Sequence, residues 1–275
     1  MKYRINSDYF KSWSPSMAYV LGFIYGDGCI TKGGRKSYSL KISSIDHDIL
    51  ISIKNELEAE RPIYKHKNKN LYQLSIGSKI IYQDLLNLGI EERKQFRDDA
   101  PVVNIVPNEY FSHFIRGFID SDGCISVSKR SGTLRISITG KEKVLKSVGN
   151  RLINLGIVDK FRIRILSPCK YTVRNDNASI EFDIINCFKL GDCIYNDANI
   201  FLLRKKDIYD NARKYVKCKK WTDNEKDQVV ILRGNGMTFK NIAKFLGHGC
   251  RRQTAEIYKE MLKRQVTANG RENPY

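Results

Sequence analysis

The stretch Val20-Leu21-Gly22-Phe23-Ile24-Tyr25-Gly26-Asp27-Gly28 returns later in the chain as Ile115-Arg116-Gly117-Phe118-Ile119-Asp120-Ser121-Asp122-Gly123. Any fold for this sequence has to house both copies. Each is an apolar run that ends in an acid followed by glycine, and the two acids stand 95 positions apart. The first run opens at Pro15, a favoured first-turn residue, and carries Met17, Val20, Leu21 and Ile24 at helical spacing. Phe111, Phe114, Ile115 and Phe118 repeat that spacing. Ala18, Gly22 and Gly26 share one face of the first helix, and Gly117 and Ser121 share one face of the second. Small residues at such intervals let two helix backbones approach closely. Parallel packing of the two helices would bring Asp27 and Asp122 side by side.

The segments around each copy follow one order. Alternating stretches at about 29–33 and 38–44 predict a hairpin, Asp46 is placed to cap a helix through Ile49, Ile53 and Leu57, and a second hairpin spans 62–67 and 71–78. A helix near 79–88 ends at Gly89. The second half repeats the pattern. Leu134-Arg135-Ile136-Ser137 echoes Leu40-Lys41-Ile42-Ser43 at an offset of 94, and Asn150-Arg151-Leu152 echoes Asn55-Glu56-Leu57 at 95. These matches predict an internal duplication. The later strands of the second half, about 160–167 and 170–184, look longer and more irregular, and the joint between halves falls near 91–108.

Beyond residue 212 the pattern changes. A basic linker precedes Trp221, and Thr222 with Glu225 forms the sequence signature of a capping box. Three short helices broken at Gly234-Asn235-Gly236 and Gly247-His248-Gly249 fit a helix-turn-helix module, with Arg251, Arg252, Gln253 and Lys259 on its recognition helix. The last dozen residues read as a frayed tail. The expected domains are therefore 1–100, 101–212 and 213–275.

The chain of 275 residues carries 48 Lys and Arg against 30 Asp and Glu, a formal net charge of +18, which favours a polyanionic partner. Nucleic acid is the commonest such partner; a membrane surface or heparin-like ligand is the alternative. Seven scattered cysteines without a Cys-x-x-Cys pair point to a reducing compartment, and no signal-like segment is evident near Met1. The expected location is cytoplasmic or organellar, without secretion. No P-loop, dinucleotide fingerprint or Ser-His-Asp arrangement is present. The histidines show no ligand spacing, and His113 reads as a packing residue.

Two carboxylates at the negative ends of two helices repel each other, and cations relieve that repulsion. Asp27, Asp122 and the helix-end carbonyls of Gly26 and Ser121 form an oxygen-only set suited to Mg²⁺, with Mn²⁺ able to substitute. Such ions can activate water and stabilise a leaving oxygen in phosphodiester displacement. A buried helix that merely ends in a turn is the simpler account of one copy; two copies, each followed by a basic hairpin, argue against it.

The two stretches resemble the LAGLIDADG motifs of homing endonucleases, in the single-chain form with two motifs. The eighth motif position, the family's metal-binding acid, falls on Asp27 and Asp122; Tyr25 departs from the pattern at the sixth position, and Asp120 keeps it. The resemblance spans about 1–210. It implies an α+β fold of two pseudo-symmetric αββαββα halves whose strands form a β saddle over double-stranded DNA, here joined to a small all-α helix-turn-helix domain. It also implies a monomeric, site-specific endonuclease that cuts both strands with a divalent metal. The family's basic residue at the scissile phosphate falls on Lys94 in the first half and Lys205 in the second, expected to stabilise developing charge or orient water. Candidate DNA contacts are Arg35, Lys41, Lys65, Lys67, Lys69, Lys129, Arg130, Arg135, Arg162, Arg164 and Arg174, with Phe161, Ile163 and Ile165 packing behind the arginine pair. The C-terminal helices resemble, more weakly, Myb-like and resolvase-like helix-turn-helix segments. A non-cleaving transcriptional regulator and an intron maturase on the same fold are the rival readings.

Overall fold

Ser14 starts the first element: its hydroxyl accepts from the Met17 amide, and Pro15 takes the first helical position, where a backbone N–H has no partner to lose. The structure is a computed structural model that describes residues 3–34, 37–93, 100–128, 132–167, 177–215, 221–248 and 251–269. It divides into two compact units, one running to Val127 and resuming from Thr133 to Asp210, the other from Asn211 onward.

In the first unit, α1 (Pro15–Asp27) leads into β1 (Gly28–Lys32), β2 (Tyr38–Ser44), α2 (His47–Glu56), β3 (Tyr64–Lys65), β4 (Tyr72–Ile76) and α3 (Lys79–Asn87). A short α4 (Pro101–Ile105) occupies the expected joint. The second half then gives α5 (Phe111–Asp122), β5 (Gly123–Val127), β6 (Leu134–Lys141), α6 (Glu142–Asn154), β7 (Arg162–Ile165), β8 (Asn177–Glu181), α7 (Ile184–Tyr195) and the start of α8 (Leu203–Tyr215), whose residues from Asn211 belong to the second unit. Each half builds a four-stranded antiparallel sheet in the same order, β1-β2-β4-β3 and β5-β6-β8-β7. Leu40, Ile42, Leu74 and Ile76 in one sheet and Ile136, Ile138, Ala178 and Ile180 in the other are buried against helices. The alternate positions of both sheets form open faces.

The hairpins and helices of the first half stand where the residue pattern put them, Gly89 included, with two differences. The second hairpin is shorter, since β3 holds two residues. Asp46 occupies the N-cap of α2 without a cap bond; its carboxylate oxygens instead accept from Arg204 Nε, each at 3.0 Å. Gly89, with φ of +81°, takes the left-handed turn after α3. In the second half the strand expected to reach residue 184 stops at Glu181, because Asp183 accepts from the Asn186 amide and caps α7. Residues 168–176, where that strand was expected to begin, lie outside the described residues.

The duplication is real, but its strands are offset differently from the sequence echo. Gly28 pairs with Ile42 and Gly123 with Ile138, so β2 and β6 match at an offset of 96 rather than 94. The structural counterpart of Lys41 is therefore Ser137, and that of Ser39 is Arg135. Two residues of slip preserve the alternation of faces, so the echo kept the right side of the sheet with the wrong partners.

The second unit contains α9 (Asp223–Gly234), α10 (Phe239–Phe245) and α11 (Arg251–Asn269). Thr222 and Glu225 make both bonds of the expected capping box, and Thr238 caps α10. Val229, Ile242, Leu246 and Ile257 form its core, with Trp221, Phe239 and Tyr258 packed against them. The expected tail is shorter than the last dozen residues, since α11 continues to Asn269. Cys29, Cys124, Cys187 and Cys193 are free thiols. Among the described residues no helix is long and apolar enough to cross a membrane.

Candidate metal centre and nucleic-acid interface

The contact between α1 and α5 is made by backbone. A methyl group on Gly22 would lie 2.0 Å from the carbonyl oxygen of Phe114 and 3.0 Å from the Phe118 nitrogen. On Gly117 it would lie 2.0 Å from the Tyr19 carbonyl oxygen and 2.8 Å from the Phe23 nitrogen. These contacts exchange under the offset of 95, as a pseudo-twofold axis between the helices requires. One turn further, a methyl on Gly26 would strike the Ser121 hydroxyl at 1.9 Å and approach Asp122 Oδ2 to 3.2 Å. The carboxylate of Asp122 thus reaches the end of the neighbouring helix, whose next residue is Asp27. Both acids are exposed, and each precedes a glycine that leaves the helix, Gly28 bonding back to Ile24 and Gly123 to Ile119.

This donor set fits a hard divalent cation. Two exposed acids end two closely packed helices that present their C-terminal carbonyls there, and the site contributes oxygen only. The Ser121 hydroxyl is turned back to the carbonyls of Gly117 and Phe118, so a contribution from Ser121 falls to its own carbonyl, like that of Gly26. Among the described residues no group of three or more His, Cys, Asp and Glu side chains gathers. Two protein carboxylates suit Mg²⁺, which keeps waters and takes substrate oxygens.

Lys205 is not free to meet a phosphate in this structure. It is 3% exposed, and its ammonium donates to the carbonyls of Ile119 at 2.6 Å, Asp120 at 2.8 Å and Gly123 at 2.7 Å. Burial lowers its pKa from the ordinary lysine value, while Asp120 and Asp27 pull in the opposite direction. The charge caps the negative end of α5, the helix that carries Asp122. Lys94 lies outside the described residues. The segment that leads to it is anchored by Glu92, which accepts from the Lys32 amide and, at 3.0 Å, from the Tyr82 hydroxyl.

Beneath the acids lies a charged network that residue patterning did not disclose. Asp120, 2% exposed, accepts from the Tyr19 hydroxyl at 2.8 Å and the Leu202 amide at 2.7 Å, both at Oδ2. Burial pushes its pKa up to about 6, against the pull of those bonds and of Lys205 and Arg116. The folded value lies above the ordinary 3.8, so this group's stabilising contribution is complete at low pH and is lost as pH rises through about 6. Arg116, 1% exposed, donates to the carbonyls of Ile194 at 2.7 Å and Ile200 at 2.9 Å and lies 2.9 Å from His113 Nδ1. His113 is a packing residue, its pKa lowered first by burial and then by Arg116. The available signal was Arg116 itself, a cation inside an otherwise apolar helix face. Under the pseudo-symmetry Tyr25 takes the place of Asp120 and rests on Phe118 and Phe114 instead.

The open faces carry some of the expected basic residues. Lys41 faces outward opposite Cys29, and Arg135 outward opposite Ser126. Arg162 and Arg164 share the open face of β7. Ile163 is half-buried behind them, but Ile165 is 54% exposed rather than packed. Lys65 belongs to the other face: it pairs with Tyr72, lies over that ring at 5.4 Å, and the ring meets His47 of α2. Tyr64 holds the open position instead. Lys67 and Lys69 are exposed in the turn before β4. Arg35, Lys129, Arg130 and Arg174 lie outside the described residues, and Arg251, Arg252 and Gln253 belong to α11 without described side chains.

Two sheets of identical strand order, joined through a close pair of helices that end in acids, make the fold of the LAGLIDADG homing endonucleases. Residues 109–181 match the family model described as a LAGLIDADG-like domain. Among solved structures, the homing endonuclease I-WcaI bound to its DNA recognition sequence is similar with a TM-score of 0.50 and 16% identity, over 73% of this chain and 89% of that one. The chain is also 25% identical, over 170 residues, to the ribonucleoside-diphosphate reductase NrdEB subunit alpha of Bacillus subtilis (strain 168), covering 54% of this chain and 15% of that protein. A protein of Methanocaldococcus jannaschii designated MJ0314 is 25% identical over 126 residues, covering 42% of this chain and 44% of that one. The chain thus spans less than half the length of either curated relative.

Proposed function

We propose that the protein is a monomeric, site-specific homing endonuclease that cuts both strands of a long double-stranded DNA target with Mg²⁺ or Mn²⁺. The observation that carries this reading is that Asp122 Oδ2 lies 3.2 Å from a methyl position on Gly26, the residue before Asp27, at the paired ends of α1 and α5. Asp27 and Asp122 hold the cations, with the Gly26 and Ser121 carbonyls at the helix ends. When bound, the cations supply charge neutralisation and an activated water for phosphodiester hydrolysis. The remaining work falls to the chain. Lys205 fixes the end of α5 and so the position of Asp122. Lys94 is the candidate for direct phosphate contact. Lys41, Arg135, Arg162 and Arg164 bind DNA from the open faces, a likeness in arrangement to the DNA-bound I-WcaI supporting that use. The net charge of +18 favours the same partner.

The second unit acts as a helix-turn-helix that extends the DNA footprint. In support, α10 is a capped seven-residue helix, Gly247 turns the chain with φ of +72°, and the long α11 follows. Removing residues 213–275 is expected to weaken binding about tenfold or more, or to relax target choice, in a gel-shift titration. Unchanged affinity and selectivity would reject a DNA role for that unit.

Selection from a randomised duplex library, run with Mg²⁺ and with Ca²⁺, tests the whole reading. The expected outcome is one long, loosely palindromic target, bound with both ions and cut on both strands with Mg²⁺. Selection without cutting would favour a non-cleaving regulator.

A further inference from the structure

The two open faces present different groups at matched positions. Through the sheet register, Arg164 on β7 corresponds to Tyr64 on β3, and Glu181 on β8 corresponds to Ser75 on β4. Glu181 is the unexpected member of this set, an acid on a surface that otherwise suits phosphate. Arg164 Nε donates to Glu181 Oε1 at 2.7 Å, and the two side chains are 55% and 36% exposed. An ion pair so exposed adds little to folding stability. It also repels DNA, so its use has to lie elsewhere.

That use is geometric. A guanidinium is a flat fork with five donors, and a free arginine on a strand sweeps through many rotamers. With Nε held by Glu181, the plane of the Arg164 guanidinium is set and its two terminal nitrogens remain as a paired edge. Such an edge matches O6 and N7 of guanine in the major groove, and an antiparallel sheet can enter that groove. We infer that Arg164 reads a guanine in the half-site under the second sheet and that Glu181 is the residue that positions it. The inference rests on the open faces being the DNA surface. In the first sheet the matched groups, Tyr64 and Ser75, offer no such fork. Gln73 beside them donates to Ser43 at 3.1 Å and accepts from Ser75 at 3.5 Å. The guanine preference should therefore belong to one half-site.

Target selection in Ca²⁺ with the full chain tests this, comparing wild type with Arg164→Ala and Glu181→Gln. Both side chains are at the surface, so the variants should fold; equal melting temperatures check it. Wild type is expected to select guanine at one position of one half-site. Arg164→Ala should lower that preference about 5- to 150-fold, the range of a bidentate base contact. Glu181→Gln should lower it several-fold while leaving affinity for random DNA unchanged or higher, because a negative charge has been removed. If both variants keep the base preference and change only affinity, Arg164 is a phosphate contact and the inference is wrong. If wild type selects no sequence at all, it is the DNA reading itself that fails.

Discussion

Replacing Gly117 with alanine is expected to lower the melting temperature by about 6–16 °C, or to leave no soluble protein. The added methyl would sit 2.0 Å from the Tyr19 carbonyl and 2.8 Å from the Phe23 amide nitrogen, both backbone atoms of the buried middle of α1. A side chain could rotate away; a helix backbone can yield only by moving the helix. Overpacking of this kind costs about 3–4 kcal/mol when it cannot relax, and a domain of this size loses about 2–4 °C per kcal/mol. Gly234→Ala is the control, since nothing lies within 4 Å of its methyl position. It should leave the melting temperature within about 2 °C. An unaltered melting temperature for Gly117→Ala, measured by calorimetry beside that control, would mean that α1 and α5 do not touch as described.

Asp27→Asn and Asp122→Asn should each abolish double-strand cleavage, with a loss of about 10³-fold or more, while leaving DNA affinity intact or raised. The amide keeps the size and shape of the side chain but removes the charge that holds the cation and turns one acceptor oxygen into a donor. Neither acid is buried, so the fold does not depend on either. Binding can improve because the carboxylates oppose the phosphates when no cation lies between them. Plasmid linearisation in Mg²⁺ and gel shifts in Ca²⁺ separate the two effects. Full cleavage by either variant would remove that acid from the metal site.

The paired helices were legible because their signal is local. Gly22, Gly26, Gly117 and Ser121 recur at intervals fixed by helix geometry, and Asp27 and Asp122 follow from the same repeat. The sheet register was not, because it depends on which residues face each other across strands. The echo at 94 and the pairing at 96 look alike in an alternating sequence. Lys65 shows the cost of that ambiguity: its neighbours suggested a basic stripe, but pairing with Tyr72 set it on the helix side. Helix α8 was hidden for another reason. Its sequence, LRKKDIYDNARKY, has no broad apolar stripe, and its start is fixed by Lys205 and Arg204 bonding to distant groups. Buried charges such as Arg116, Asp120 and Lys205 defeat patterning altogether, since composition assigns them to the surface.

The exchange of Tyr19 with Asp120 on one side, and of Phe114 with Tyr25 on the other, bears on how such a chain can evolve. An ancestor with one motif would have paired with a copy of itself. Two copies of the present first half would set Tyr25 against Tyr19 and leave the buried Tyr19 hydroxyl without its carboxylate. Two copies of the second would set Asp120 against Phe114, keeping its bond from the Leu202 amide but losing the one from the Tyr19 hydroxyl in each half. Each half has become the lock for the other's key. The gene fusion can no longer be undone one mutation at a time, and the two halves of the chain are bound to drift together.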